Sequence, residues 1–126
     1  MSHELPRYRA ALPQLSDPGR VFISDGGLGT TLIFQDGLDL PGFGAFAHLR
    51  TQEGTEALRR YLASYLDIAG QHPGVGFVLE SPTWRANPDW GERLGLSLAE
   101  LEETQRASVT LMEEVRRDFE REHRQG

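Results

Sequence analysis

Two short stretches decide how this chain folds. Residues 21–31 read VFISDGGLGTT, and residues 75–87 read VGFVLESPTWRAN. Val21-Phe22-Ile23-Ser24 is a short apolar run of the kind that forms a buried strand. Asp25-Gly26-Gly27-Leu28-Gly29-Thr30 stops it with glycines. Val75 to Glu80 is a second such run, and Ser81-Pro82 stops that one. The expected strands are therefore near 21–25 and 75–80, and both end in a carboxylate, Asp25 and Glu80.

A helix is expected between them. From Thr55 to Ala69, Leu58, Leu62, Tyr65 and Ala69 recur at helical spacing, while Arg59, Arg60 and Asp67 lie off that stripe. Gly70 is the stop, with Pro73 just beyond, which gives a helix near 55–70. A second helix is expected near 97–123. Ser97 and Glu100 form a capping box, each side chain satisfying a backbone N–H at the helix start. Leu101, Ser108, Leu111, Val115 and Phe119 supply its inward stripe. Glu102 with Arg106, Glu113 with Arg117 and Glu120 with Arg124 stand four apart in the favourable orientation. Arg121, His123 and Arg124 suit the negative helix end.

The remaining segments are less regular. Residues 1–19 read as an N-terminal segment in which Tyr8, Leu12 and Leu15 line a short leading helix that Asp17-Pro18-Gly19 ends. From Thr31 to about Gly54, Gly37, Pro41, Gly42 and Gly44 predict a long irregular loop, a feature that is often functional. A short helical turn is expected near Gly91 to Leu94. Strand, helix, strand, helix implies a parallel α/β sheet with right-handed crossovers. Two strands do not complete such a sheet, because parallel strands need cover on both faces and neighbours on both edges.

Composition narrows the chemistry. The chain has 126 residues, enough for one domain. It has no cysteine, and its 13 basic residues are all arginine. Disulfides, a cysteine nucleophile, thiolate-bound metals, a Schiff-base lysine and a P-loop lysine are all excluded within it. A formal net charge of −6 argues against nucleic-acid binding. No apolar stretch approaches membrane-spanning length. Met1 to Leu15 has no apolar core of a signal peptide, so a cytoplasmic protein is expected.

In parallel α/β folds, ligands bind at the carboxyl ends of the strands. Asp25 and Glu80 are thus candidate ligand-binding groups, and the adjacent glycines would let backbone amides approach a ligand. Each carboxylate also has a plainer reading. Asp25 would cap its own Asp-Gly-Gly turn, and Glu80 would pair with Arg85 at the rim. The glycine loop lacks the third glycine and the distal acid of a dinucleotide fingerprint. His3, His48, His72 and His123 are scattered, without metal-ligand spacing, and read as solvent-facing or capping. Trp84 and Trp90 read first as packing residues and second as pocket walls.

Taken together, FISDGGLGTT (22–31), YLASYLDIAG (61–70) and FVLESPTWRAN (77–87) resemble, in register, three segments of the homocysteine S-methyltransferase family. In that family a strand runs into an Asp-Gly-Gly/Ala-Met-Gly-Thr turn, a helix ends in Tyr-Leu-x-Ala-Gly, and a second strand continues into Thr-Asn-Thr-Tyr/Phe. The resemblance implies that residues 20–126 are the first two βα units of a (β/α)8 TIM barrel, incomplete here. It implies methyl transfer to homocysteine, giving methionine, with a cysteine-bound zinc lowering the thiol pKa. By the same resemblance, Asp25 holds the substrate ammonium, Gly26 and Gly27 shape the backbone around it, Glu80 is a second carboxylate nearby, and Thr83 matches the last threonine of the second motif.

The sequence departs from the family at Pro82, where asparagine is usual, and at Leu28, where methionine is usual. The zinc cysteines belong to the family's C-terminal half. The chain alone is therefore expected to be inactive, a fragment or half of a split barrel. The resemblance leaves the methyl donor open among sulfonium, betaine, folate-linked and corrinoid-linked compounds. Two other readings stand beside it: a non-catalytic α/β interaction module that covers its sheet by self-association or with a partner chain, and a small-ligand domain that takes an anion on the glycine loop.

Overall fold

The computed structural model describes residues 11–12, 17–35, 37 and 45–123. Strand β1 (Phe22–Ser24) is followed by helix α1 (Gln52–Gly70), strand β2 (Gly76–Val78), short helix α2 (Pro88–Arg93) and long helix α3 (Leu98–His123). The two strands are parallel, pairing Phe22 with Gly76, Ile23 with Phe77 and Ser24 with Val78. This is a mixed α/β arrangement with the expected strand direction. Both strands are shorter than the apolar runs that announce them.

The expected leading helix falls mostly outside the described residues. Its terminating turn is present, with Asp17 Oδ1 accepting from the Gly19 amide at 3.1 Å. The expected irregular loop to Gly54 is corrected in three places. The loop opens with a π-helical turn at Thr31–Gln35, which continues a helical turn at Leu28–Thr30 in the preceding glycine segment. Ala45–Arg50 is a 3-10 helix, and α1 starts at Gln52, earlier than Thr55. Thr51 caps α1, its Oγ1 accepting from the Gly54 amide at 3.0 Å. Gly54 does not break the helix. It lets the 3-10 segment close on α1, because a Cβ there would overlap the His48 carbonyl oxygen.

The core lies in this helical layer. Phe46, Leu32, Ala57, Leu58, Leu62, Leu101 and Leu111 are buried, with Val115 beside them. Gly54, Ala57, Leu58, Tyr61, Leu62, Leu66 and Ala69 form the buried stripe of α1. Tyr65, placed on that stripe from spacing, is half-buried and packs at its edge. Arg50 ties the 3-10 segment to α3, donating to the Glu100 carbonyl at 3.1 Å, to Thr104 Oγ1 at 3.0 Å and to Glu100 Oε2 at 3.1 Å. Arg59 of α1 pairs with Glu114 of α3.

Helix α3 follows its sequence signals closely. Ser97 and Glu100 make the reciprocal capping bonds, at 3.2 Å and 3.1 Å. Hydrogen bonding from Ser97, its backbone amide first, with Arg50 adding its charge, holds the Glu100 carboxyl below the usual carboxylate range. Glu102 and Arg106 pair at 2.9 Å, and Glu113 and Arg117 stand 4.0 Å apart. Arg124 lies outside the described residues. His123 Nδ1 donates to the Phe119 carbonyl at 3.0 Å, and the two rings stack. The turn expected near Gly91 is α2, capped by Asn87 and opened by Pro88.

Alternation along the strands separates two sheet faces. Phe77 and Leu79 pack against the helical core. Phe22, Ser24, Gly76 and Val78 share the opposite face. There the Phe22 ring lies over Gly76, where a Cβ would meet it, and Arg20 lies over the ring at 5.2 Å. Ser24 and Val78 are exposed, so among the described residues this end of the face has no cover.

Candidate functional site

The site is built where the two strands end. Because β1 and β2 run in the same direction, the residues that follow them emerge on one side of the sheet. Asp25 and Glu80 both line a small, shallow recess that is open to solvent. Leu28, Leu58, Leu62 and Pro82 give it apolar walls, and Tyr61 completes it. Glu80 is exposed, whereas Asp25 is half-buried.

Asp25 is held from the helical layer. Tyr61 Oη donates to Asp25 Oδ2 at 2.9 Å and also lies 2.8 Å from the Gly26 carbonyl oxygen. Tyr65 Oη donates to that same carbonyl at 2.6 Å. Burial, then the hydrogen bond to Asp25, then the Asp25 charge all push the Tyr61 phenol far above its ordinary range. Tyr61 is therefore a neutral donor at any physiological pH. Asp25 Oδ1 is buried and has no partner among the described residues.

The glycines play distinct parts. Gly26 contributes the carbonyl on which the tyrosines converge. Gly27 has a left-handed φ of 77° and opens the turn at Leu28–Thr30, a conformation that explains the residue type. The Thr31 amide closes back on the Gly27 carbonyl at 2.9 Å. Thr83 is not a wall of the recess: its Oγ1 lies 3.0 Å from Ser81 Oγ, and its carbonyl accepts from the Ala86 amide at 2.8 Å. The neighbouring Pro82 is the residue of that segment that is buried at the recess.

The loop beyond Glu80 is organised by aromatic rings. Arg85 lies over Trp84 at 4.2 Å and over Trp90 at 4.3 Å, and Arg93 lies over Trp90 at 4.8 Å. Arg85 itself has a positive φ of 66°, uncommon for a residue with a side chain. Trp84 is 67% exposed, so its expected packing role is not met, and neither tryptophan lines the recess. His48, expected to face solvent or cap, instead has a buried Nε2 without a partner among the described residues.

The residues present do not fit the zinc site that the resemblance implies. The chain has no cysteine, and among the described residues no three histidine, aspartate or glutamate side chains gather as a ligand set. No chemical step is therefore assigned to zinc on this chain. One half-buried and one exposed carboxylate beside apolar walls make an arrangement that suits a small cation. Sequence reasoning missed Tyr61 as a site residue, although it stands at the head of the quoted 61–70 segment. Among the described residues no helix is long and apolar enough to cross a membrane.

No curated protein and no solved structure matches the chain. A family model does: residues 22–125 match that of homocysteine S-methyltransferase. That span takes in both strands, the recess and all of the long helices, so the chain belongs to the homocysteine S-methyltransferase family.

Proposed function

We propose that this chain supplies the amino-acid-binding corner of a homocysteine S-methyltransferase, built on the first two βα units of a (β/α)8 barrel. The observation that carries the reading is the meeting of Asp25 and Glu80 at one recess beyond the ends of adjacent parallel strands. Homocysteine is an α-amino acid, and its ammonium group would donate to Asp25, with Glu80 adding negative potential. Gly26 and Gly27 shape the backbone at that point, and Thr83 with Ser81 supports the second rim. The recess is shallow and open, as expected if other strands complete the mouth.

The uncovered end of the sheet face supports the barrel reading. In a closed barrel, Phe22, Ser24, Gly76 and Val78 would turn inward and pack against residues of further strands. Zinc, which in this family acidifies the thiol, would be held by cysteines outside this chain. On this reading the chain by itself is catalytically inert in the cytoplasm and completes its barrel with a partner segment, whether or not that segment is covalently attached. Stoichiometric zinc and methionine formation by the purified chain alone would overturn the inertness.

Binding is tested by calorimetry with L-homocysteine. Asp25→Asn is expected to weaken the interaction about tenfold or more, and Glu80→Gln by less, since Glu80 is exposed and screened. The reading fails if the wild-type chain gives no saturable heat or if Asp25→Asn binds as tightly as wild type.

A further inference from the structure

The recess contains one polar group that neither the family motifs nor the strand-end argument assigns. Tyr61 and Tyr65 stand four residues apart on α1, on neighbouring turns of one face. Their rings are 5.2 Å apart between centroids. Both hydroxyls reach the Gly26 carbonyl, at 2.8 Å and 2.6 Å, but only Tyr61 also reaches Asp25. A phenol has one proton to give. Tyr65 supplies the proton that the Gly26 carbonyl needs, which leaves the Tyr61 proton for Asp25 Oδ2. The other carboxylate oxygen, Oδ1, is buried and unpartnered among the described residues, on a side chain that lines the recess.

We infer that Tyr61 is a positioning residue: by occupying Asp25 Oδ2, with Tyr65 fixing the adjacent Gly26 carbonyl, it sets the carboxylate so that Oδ1 is the oxygen offered to a primary ammonium group. The ligand part of this inference rests on the proposed function; the positioning part does not. An aspartate at the end of a three-residue strand, beside two glycines, has little of its own to fix its rotamer. A buried hydroxyl from a packed helix supplies that constraint before any ligand arrives, so less ordering is left for the binding step.

The test uses the full chain and Tyr61→Phe, Tyr65→Phe and Asp25→Asn variants, with the fold of each checked by circular dichroism. The first readout needs no ligand: the Asp25 Hα–Hβ couplings by NMR. Wild type is expected to show one fixed rotamer, Tyr61→Phe an averaged one and Tyr65→Phe a nearly fixed one. Unchanged couplings in folded Tyr61→Phe would overturn the inference. Should Tyr61→Phe not fold, the wild-type couplings decide: an averaged Asp25 rotamer in the folded wild-type chain, with Asp25→Asn confirming the assignment, would overturn the inference.

The second readout is L-homocysteine affinity, expected to fall about tenfold in Tyr61→Phe, the scale of a lost hydrogen bond to a charged partner. A wild-type chain with a fixed Asp25 rotamer but no homocysteine binding would sink the ammonium reading and leave the positioning role standing. Full affinity in a Tyr61→Phe chain with an averaged rotamer would overturn the preorganisation of the carboxylate.

Discussion

The helical layer and the sheet of this molecule are held in very different ways. In the layer, α1, α3 and the 3-10 segment bury Ala45, Leu58, Leu62 and Leu111 against one another, and Arg50 and Arg59 cross-link the surface. In the sheet, two strands of three residues each meet the core on one face only, and Val78 on the other is 40% exposed. Among the described residues the layer buries side chains between its helices, whereas the sheet is covered on one face only, as the proposed barrel would require. A βα unit packs its helix onto the outer face of its own strand through local contacts, but the inner face of a barrel needs strands from elsewhere. The recess sits at the boundary, its carboxylates coming from the strand ends and its rigidity from α1.

This contrast predicts how substitutions rank. The largest effect is expected in the layer, where Leu58→Ala removes a side chain that is 1% exposed and should cost about 3 kcal/mol in a denaturant melt. A cost under about 1 kcal/mol would mean the layer is not packed as described. Next comes a pair of glycines. Gly54→Ala pushes against the His48 backbone and should cost about 2–3 kcal/mol. Gly76→Ala pushes only against the half-buried Phe22 ring, which can swing toward the open face, and should cost about 1 kcal/mol. Equal costs would show that the sheet face is as tightly held as the helices. The smallest effect is expected for Val78→Thr, within about 0.5 kcal/mol in the chain alone. Its cost should grow if a partner segment covers that face.

Much of this was legible in the sequence because its causes are local. The capping box of Ser97 and Glu100, the four-apart pairs on α3 and the apolar runs at β1 and β2 are set by neighbours within a few residues. The two strand-end carboxylates followed from those runs. Contacts that close over long separations left no such trace. Gly54 reads as the end of a loop until its neighbour His48 is known. Arg50 meets Glu100 and Thr104 from half the chain away, with no periodicity to announce it. Tyr61 is simply another ring on an apolar stripe, because its hydroxyl finds its partners on β1's loop and not on its own helix. The exposed Trp84 is hidden for a related reason: its ring is engaged by the next residue, Arg85, through a left-handed backbone that composition does not signal.

The most direct test of the central claim compares L-homocysteine with 4-mercaptobutyrate, which keeps the thiol and carboxylate but has no amino group, by following backbone amide NMR shifts of the chain. The account predicts saturable changes confined to residues 25–28 and 80–81 for homocysteine and none there for the analogue. Equal responses to both compounds, or changes that leave Asp25 and Glu80 untouched, would contradict it.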